Sequence, residues 1–194
     1  SPAEDAGQGQ ALPGQTITVG TADLDNVIEL PGRVEPVRVA EVRARVTGIV
    51  QSRIYEEGTD VGQGQPLFRI DPSELRASYA QTQASLERAR ATAANANAVV
   101  ERYRPLVAEN AISGQEFDAA QAAAREANAN VAQIQAQLRA ASLQLGYTTV
   151  RAPIAGRAGR ADVTEGALVS QTEGTLMTRI EQVSPIYVSF SQSA

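Results

Sequence analysis

Between Asp71 and Gly146 the chain carries two runs of apolar and small residues whose spacing alternates between three and four positions. The first is Leu75, Tyr79, Thr82, Leu86, Ala89, Ala93, Ala96, Val100, Tyr103 and Val107. The second is Phe117, Ala120, Ala124, Ala127, Val131, Ile134, Leu138, Ala141 and Leu145. Alternating three-four spacing is the seam of a coiled coil. The two seams match in antiparallel register, because opposed residue numbers have a constant sum of 220. Leu75 faces Leu145, Leu86 faces Ile134 and Tyr103 faces Phe117. This predicts one folded-back helical hairpin, its first seam about 48 Å long at ~1.5 Å per residue.

Punctuation at the helix ends agrees. Asp71-Pro72-Ser73-Glu74 offers an N-cap, a proline at the first helical position and an acid three residues after the cap. Ser113-Gly114-Gln115-Glu116 is a second capping box, with Ile112 and Phe117 at the positions of a hydrophobic staple. Gly146 is the expected terminator of the second helix. Pro105 removes a backbone bond to Glu101 and predicts a kink near the tip. In the middle, Ala89–Val131, Ala93–Ala127 and Ala96–Ala124 bury little area but allow close approach. The outer faces (Gln81, Arg88, Asn95, Asn97, Arg125, Asn128, Gln135) suit either water or lateral packing against neighbouring hairpins.

On both sides of the hairpin the texture is β. From Gln15 to Asp71, short runs (ITV, VIEL, EVRARV, GIVQSRIY, PLFRI) alternate with Gly, Pro and Asp, and the pattern returns from Tyr147 to Phe190. These flanks contain a repeat. Gly48-Ile49, Glu57-Gly58 and Val61 align with Gly156-Arg157, Glu165-Gly166 and Val169 at a constant offset of 108. After a slip of two, Phe68-Arg69-Ile70-Asp71 aligns with Thr178-Arg179-Ile180-Glu181. Two related units, neither able to close a core alone, suit a small sandwich. Residues 1–14 (SPAEDAGQGQALPG) read as a flexible tether.

Composition removes whole classes of chemistry. There is no Cys and no His, and the 17 basic residues are all Arg. The usual ligands of zinc, copper, haem and iron–sulfur sites are therefore missing. So are Ser-His and Cys-His nucleophiles. A net charge of −5 argues against nucleic acid as partner. No run of ~18 apolar residues predicts a membrane span, and no signal-peptide pattern is visible. No cofactor, metal or active site is expected. Gly156 to Gly159 (GRAG) reads as a turn rather than a phosphate loop, and Glu56/Glu57 or Asp162/Glu165 as turn and surface acids.

The runs ELPGRVEPVRVAEVRARVTGIV (Glu29 to Val50) and EEGTDVGQGQPLFRIDP (Glu56 to Pro72) resemble a known family. So do LGYTTVRAPIAGRAGRADVTEGALV (Leu145 to Val169) and SPIYVSFSQS (Ser184 to Ser193). The family is the periplasmic adaptor, or membrane fusion, proteins of RND tripartite multidrug efflux pumps, of the AcrA and MexA type within the HlyD-like superfamily. The resemblance covers residues 16–194. It implies an elongated mixed α and β fold: a lipoyl-like β-sandwich split by a long antiparallel coiled-coil hairpin, plus part of a β-barrel. The expected layout is a tether at 1–14, partial barrel at 15–40 and 182–194, lipoyl-like domain at 41–71 and 147–181, and hairpin at 72–146. Further barrel strands and a membrane-proximal domain are expected outside this sequence. A lipoyl-like fold also raises a swinging-arm carrier. That function needs a lysine on a hairpin tip, and this chain has none.

In such adaptors an Arg, a Leu four residues on and a Ser seven further are implicated in engaging the outer-membrane channel. Arg102, Leu106 and Ser113 fit that spacing. Each has an ordinary reading too: Ser113 as N-cap, Leu106 packed beside Val107, Arg102 as a solvated cation. The resemblance implies a non-enzymatic, periplasmic protein anchored to the inner membrane, with a lipidated Cys expected before Ser1. Its implied partners are an RND transporter, a TolC-type channel and further copies of itself, six in the pump. An adaptor for an ABC-type or metal-efflux exporter, and a coiled-coil scaffold or chaperone, stay open as alternatives. The absence of His, Cys and Met clusters speaks against metal handling, and the β repeat against a free coiled coil.

Overall fold

Residues 13–21 and 29–190 are described by a computed structural model. The chain divides into two compact units, Ser1–Gly32 with Phe190–Ala194, and Arg33–Ser189. In the first unit, residues 13–21 form no strand. Ile17 and Val19 are 86% and 90% exposed, and the expected ITV strand is not formed among the described residues. The tether residues 1–12, the 22–28 part of the expected barrel segment and 191–194 lie outside the described residues.

Among the described residues, the strands and helices lie in the second unit, apart from the end residues Gly32 and Phe190. Four strands precede two helices: β1 (Gly32–Arg43), β2 (Gly48–Arg53), β3 (Asp60–Val61) and β4 (Pro66–Ile70). The helices are α1 (Ser73–Ala108) and α2 (Gly114–Gly146). Four strands follow: β5 (Thr149–Arg151), β6 (Gly156–Ala158), β7 (Leu168–Val169) and β8 (Leu176–Phe190). They form two four-stranded sheets, ordered β1-β8-β6-β3 and β5-β4-β2-β7.

The repeat becomes a pseudo-twofold exchange of strands. Gly48 pairs with Val169 and Ile49 with Leu168. In the other sheet Gly156 pairs with Val61 and Arg157 with Asp60. Val50↔Ile70 likewise corresponds to Ala158↔Ile180. Each half lends its short strand to the other half's sheet, so neither sheet forms without both. The turns match too: Gly58 and Gly166 have φ of 79° and 86°, the left-handed region that glycine enters without cost. Their N–H groups donate to Ala158 O and Val50 O, both at 2.8 Å.

One core fills the space between the sheets. Leu67, Phe68, Ile70, Met177 and Ile180 are fully buried, and side chains of this kind contribute roughly 1.5–3 kcal/mol each. Gly156 belongs to strand β6 rather than to a turn. The reason is space: a Cβ there would lie 2.5 Å from Glu181 O.

Every seam position named in α1 and α2 is buried or half-buried. With five residues between the helices, α2 folds back along α1. The fully buried seam residues run from Leu86 to Val100 on α1 and from Ala124 to Ala127 on α2. Ala89, Ala93, Ala124 and Ala127 are 4–9% exposed, whereas Leu75, Leu138 and Leu145 nearer the base are only half-buried. Leu86, at 3%, is as dry as these alanines, so burial follows position along the hairpin rather than side-chain size.

Two helix ends differ from expectation. Gly146 is the last residue of α2 rather than a left-handed terminator. The end is closed instead by Thr148, whose N–H and hydroxyl donate to Leu145 O at 3.2 and 2.7 Å. The chain then enters β5. At the start of α1, Pro72 is the formal cap and offers no side-chain bond. Asp71 serves instead, its Oδ1 accepting from Ser73 N–H at 3.0 Å and Ser73 Oγ–H at 2.6 Å.

Candidate partner-docking site

The turn between α1 and α2 is built by two complementary caps. α1 runs through Pro105 to Ala108. It then ends in a left-handed Asn110 with φ of 57°. Asn110 N–H donates to Val107 O at 3.1 Å and Ala111 N–H to Leu106 O at 2.8 Å. These are the two bonds of a Schellman motif, which satisfies carbonyls that a helix end otherwise leaves free. Sequence reasoning missed Asn110, although an asparagine just past the last apolar seam residue is a known signal for the left-handed position.

α2 begins with the predicted capping box. Glu116 N–H donates to Ser113 Oγ at 3.1 Å, and Ser113 N–H donates to Glu116 Oε2 at 2.9 Å. The Ser113 hydroxyl also donates to Glu116 Oε2 at 3.1 Å. The Ser113 backbone N–H, and then its hydroxyl, hold the Glu116 carboxyl below its usual value. Ile112 and Phe117 are both half-buried.

The expected site residues fall on this end of the helices with different freedom. Leu106 is 37% exposed, while Val107 beside it is half-buried in the seam. Arg102 lies one helical turn further back, about 6 Å at ~1.5 Å per residue. It is exposed, and its Nε donates weakly to Ala98 O at 3.5 Å. Among the described residues it has no acidic partner, because Glu101 pairs with Arg104 at 3.0 Å. Arg104 lowers the pKa of Glu101 through a hydrogen bond and charge, and Glu101 raises that of Arg104 the same way. Ser113 has spent its hydroxyl proton on Glu116. The end therefore offers a free guanidinium, an accessible aliphatic side chain and a turn held rigid by its own caps.

Elsewhere one acid of each pair, Glu57 and Glu165, is bound to backbone. Glu165 Oε1 accepts from Arg53 N–H at 3.1 Å and Glu57 Oε1 from Ala161 N–H at 2.9 Å. These contacts are equivalent across the repeat, each carboxylate clasping the other half's backbone. Among the described residues no cluster of His, Cys, Asp and Glu could hold a metal ion, and no helix is long and apolar enough to cross a membrane.

Residues 38–180 match the family described as RND MFP, barrel-sandwich hybrid domain. The chain is 46% identical over 176 residues to the multidrug export protein AcrE of Escherichia coli K12, covering 91% of this chain and 46% of AcrE. It is 45% identical over 165 residues to the antibiotic efflux pump periplasmic linker protein ArpA of Pseudomonas putida, covering 85% of this chain and 41% of ArpA. Among solved structures, it matches a MacA-MexA chimeric protein containing the Pseudomonas aeruginosa MexA α-hairpin domain. That match has a TM-score of 0.54 and 28% identity, over 84% of this chain and 53% of the other. The chain thus spans less than half the length of these two curated relatives.

Proposed function

Since this chain belongs to the membrane fusion proteins of RND efflux pumps, we propose that it is the part of a periplasmic adaptor that reaches from an inner-membrane RND transporter toward a TolC-type outer-membrane channel. In this reading residues 72–146 are the hairpin, 41–71 with 147–181 the lipoyl-like domain, and 15–40 with 182–194 the beginning of the barrel on the transporter side. The protein is anchored at the inner membrane and does no chemistry. Several copies, six in the pump, stand side by side as a sealed conduit. The exposed outer faces of the helices leave room for that packing.

The observation that carries the reading is the double-capped turn, with Arg102 free and Leu106 accessible on one end of a long helix pair. Arg102 would lay its planar fork on backbone carbonyls at the channel's helical end. Leu106 would add apolar contact, and Ser113 would hold the turn that presents both. Single-cysteine variants at Arg102, Ser113 and mid-hairpin Asn95, cross-linked in cells that carry the channel, test this. Cross-links at the first two and not at Asn95 are expected. Equal cross-linking at Asn95, or none at either tip position, removes the docking assignment. Deleting the gene and measuring drug susceptibility tests export itself.

A further inference from the structure

At the other end of the helices a cleft of about 530 Å³ opens between the base of α2 and strands β1 and β5, within the ~300–1,000 Å³ typical of small-molecule pockets. Its lining includes Leu143, Tyr147 and Pro153. Leu143 is 60% exposed and lies off the helix seam, so no contact within the hairpin explains a leucine there. Around it stand Arg43, Arg45 and Arg151 against the single acid Glu41. In a chain of net charge −5 this is a local reversal of sign.

The three arginines differ in what they have left to give. Arg43 is bound to Glu41 at 2.7 Å and to Gly174 O at 2.6 Å. Arg151 spends one nitrogen on Gly64 O at 3.0 Å. Arg45 makes no hydrogen bond or ion pair among the described residues. Its guanidinium carbon sits 3.7 Å from the centre of the Tyr147 ring, and stacking of this kind orients the fork while leaving its N–H groups free.

We infer that this cleft binds an anionic amphiphile, a carboxylate or sulfate head on an apolar body. The head pairs with Arg45, and the body lies on Leu143 beside the Tyr147 ring. A neutral molecule of the same size would cover Arg45 without pairing it, which costs binding energy.

Calorimetric titration of the full chain with decanoate tests this. Uncharged decyl maltoside is the control, both ligands being kept below micelle formation. Decanoate should bind and the maltoside should bind much more weakly. Arg45→Gln should weaken decanoate roughly tenfold, the scale of one charge-assisted pair. Leu143→Ser, at an exposed position that folding does not need, should weaken it as well. Arg88→Gln on the outer face of α1 should leave it unchanged. Absence of decanoate binding, equal binding of the maltoside, or wild-type affinity in both Arg45→Gln and Leu143→Ser would overturn the assignment.

Discussion

Asn97 and Asn128 exchange amide hydrogen bonds between the two helices: Asn97 Nδ2–H donates to Asn128 Oδ1 at 3.3 Å, and Asn128 Nδ2–H to Asn97 Oδ1 at 3.0 Å. Asn128 Nδ2 also donates to Ala124 O at 2.8 Å. The pair lies beside the alanine layers, where side chains carry the least shape. Alanine against alanine fits almost equally well after a slip, whereas two amides meet in only one register. Both residues read from sequence as part of an outer face; the structure sets them at its edge, turned toward each other.

Removing this pair should therefore cost more than two surface asparagines normally would. Asn97→Ala and Asn128→Ala should each destabilise, with a coupling of about 0.5–1 kcal/mol in a double-mutant cycle. Urea unfolding followed by circular dichroism measures it. Strict additivity of the two substitutions would show that the amides do not cooperate.

The repeat makes a sharper prediction at its two equivalent glycines. A Cβ on Gly48 would meet Ile70 Cγ2 at 2.7 Å, the far end of a side chain. On Gly156 it would meet Glu181 O at 2.5 Å and Glu181 C at 2.9 Å, which are backbone of the paired strand. A side chain rotates aside more readily than a ladder moves. Gly156→Ala should thus cost the upper part of the ~1–3 kcal/mol expected of overpacking, and Gly48→Ala the lower part. Thermal melts of the two variants compare them directly, and the reverse order would contradict the close approach at β6.

At the helix turn, Ser113→Ala should lower stability by about 1 kcal/mol through loss of the cap. Ser113→Asp should restore much of it, since aspartate also accepts from the third residue of the helix. The Glu116 half of the box adds a pH signature. Its pKa is lowered in the fold by the Ser113 N–H and hydroxyl. Its contribution is therefore present above the usual 4.5 and fades as pH falls through the lower folded value. Amide protection factors at Glu116 and Phe117, taken against the intrinsic exchange rate at each pH, should fall over that acid range in the wild type and stay flat in Glu116→Gln. A flat wild-type profile would mean that the carboxylate contributes nothing there.

What could be read in advance follows from which forces have a period. The seam repeats every three or four residues, so Leu86, Val100 and Ala127 announce their burial individually. The repeat offset marks Gly58 and Gly166 as equivalent turns, and both take the left-handed conformation. Strand exchange between the halves has no such signature, because pairing of Gly48 with Val169 is set by the shared core rather than by neighbours in sequence. Local backbone chemistry was legible only where a side chain advertised it. Ser113 with Glu116 did so, while Thr148 closing α2 looked like any threonine entering a strand. Arg45 was equally silent, since its partner Tyr147 is distant in sequence and the two meet only when the hairpin folds back. The tip residues Arg102 and Leu106 were picked out by resemblance, and their exposure is a property that spacing alone does not supply.

The sandwich contains one polar link whose removal is clean. Tyr55 Oη lies 3.0 Å from both Gly159 O and the fully buried Thr178 Oγ1. Its ring meets Phe68 edge-on, with centroids 5.4 Å apart. Tyr55→Phe keeps that aromatic contact and deletes only the hydroxyl, so the loss of about 1–2 kcal/mol expected for a buried hydrogen-bonded group should appear without core collapse. Burial, foremost, raises the Tyr55 pKa above 10.0, outweighing the opposing hydrogen bond to Thr178. A raised value means that the stability it contributes is complete below the unfolded pKa and is lost as pH rises through the folded one. Wild-type stability should accordingly decline as pH climbs past 10.0, more steeply than that of Tyr55→Phe. Chemical denaturation of both proteins at neutral pH and again above pH 10.0 decides the matter. Parallel declines would mean that the phenol ionises in the folded protein as freely as in water.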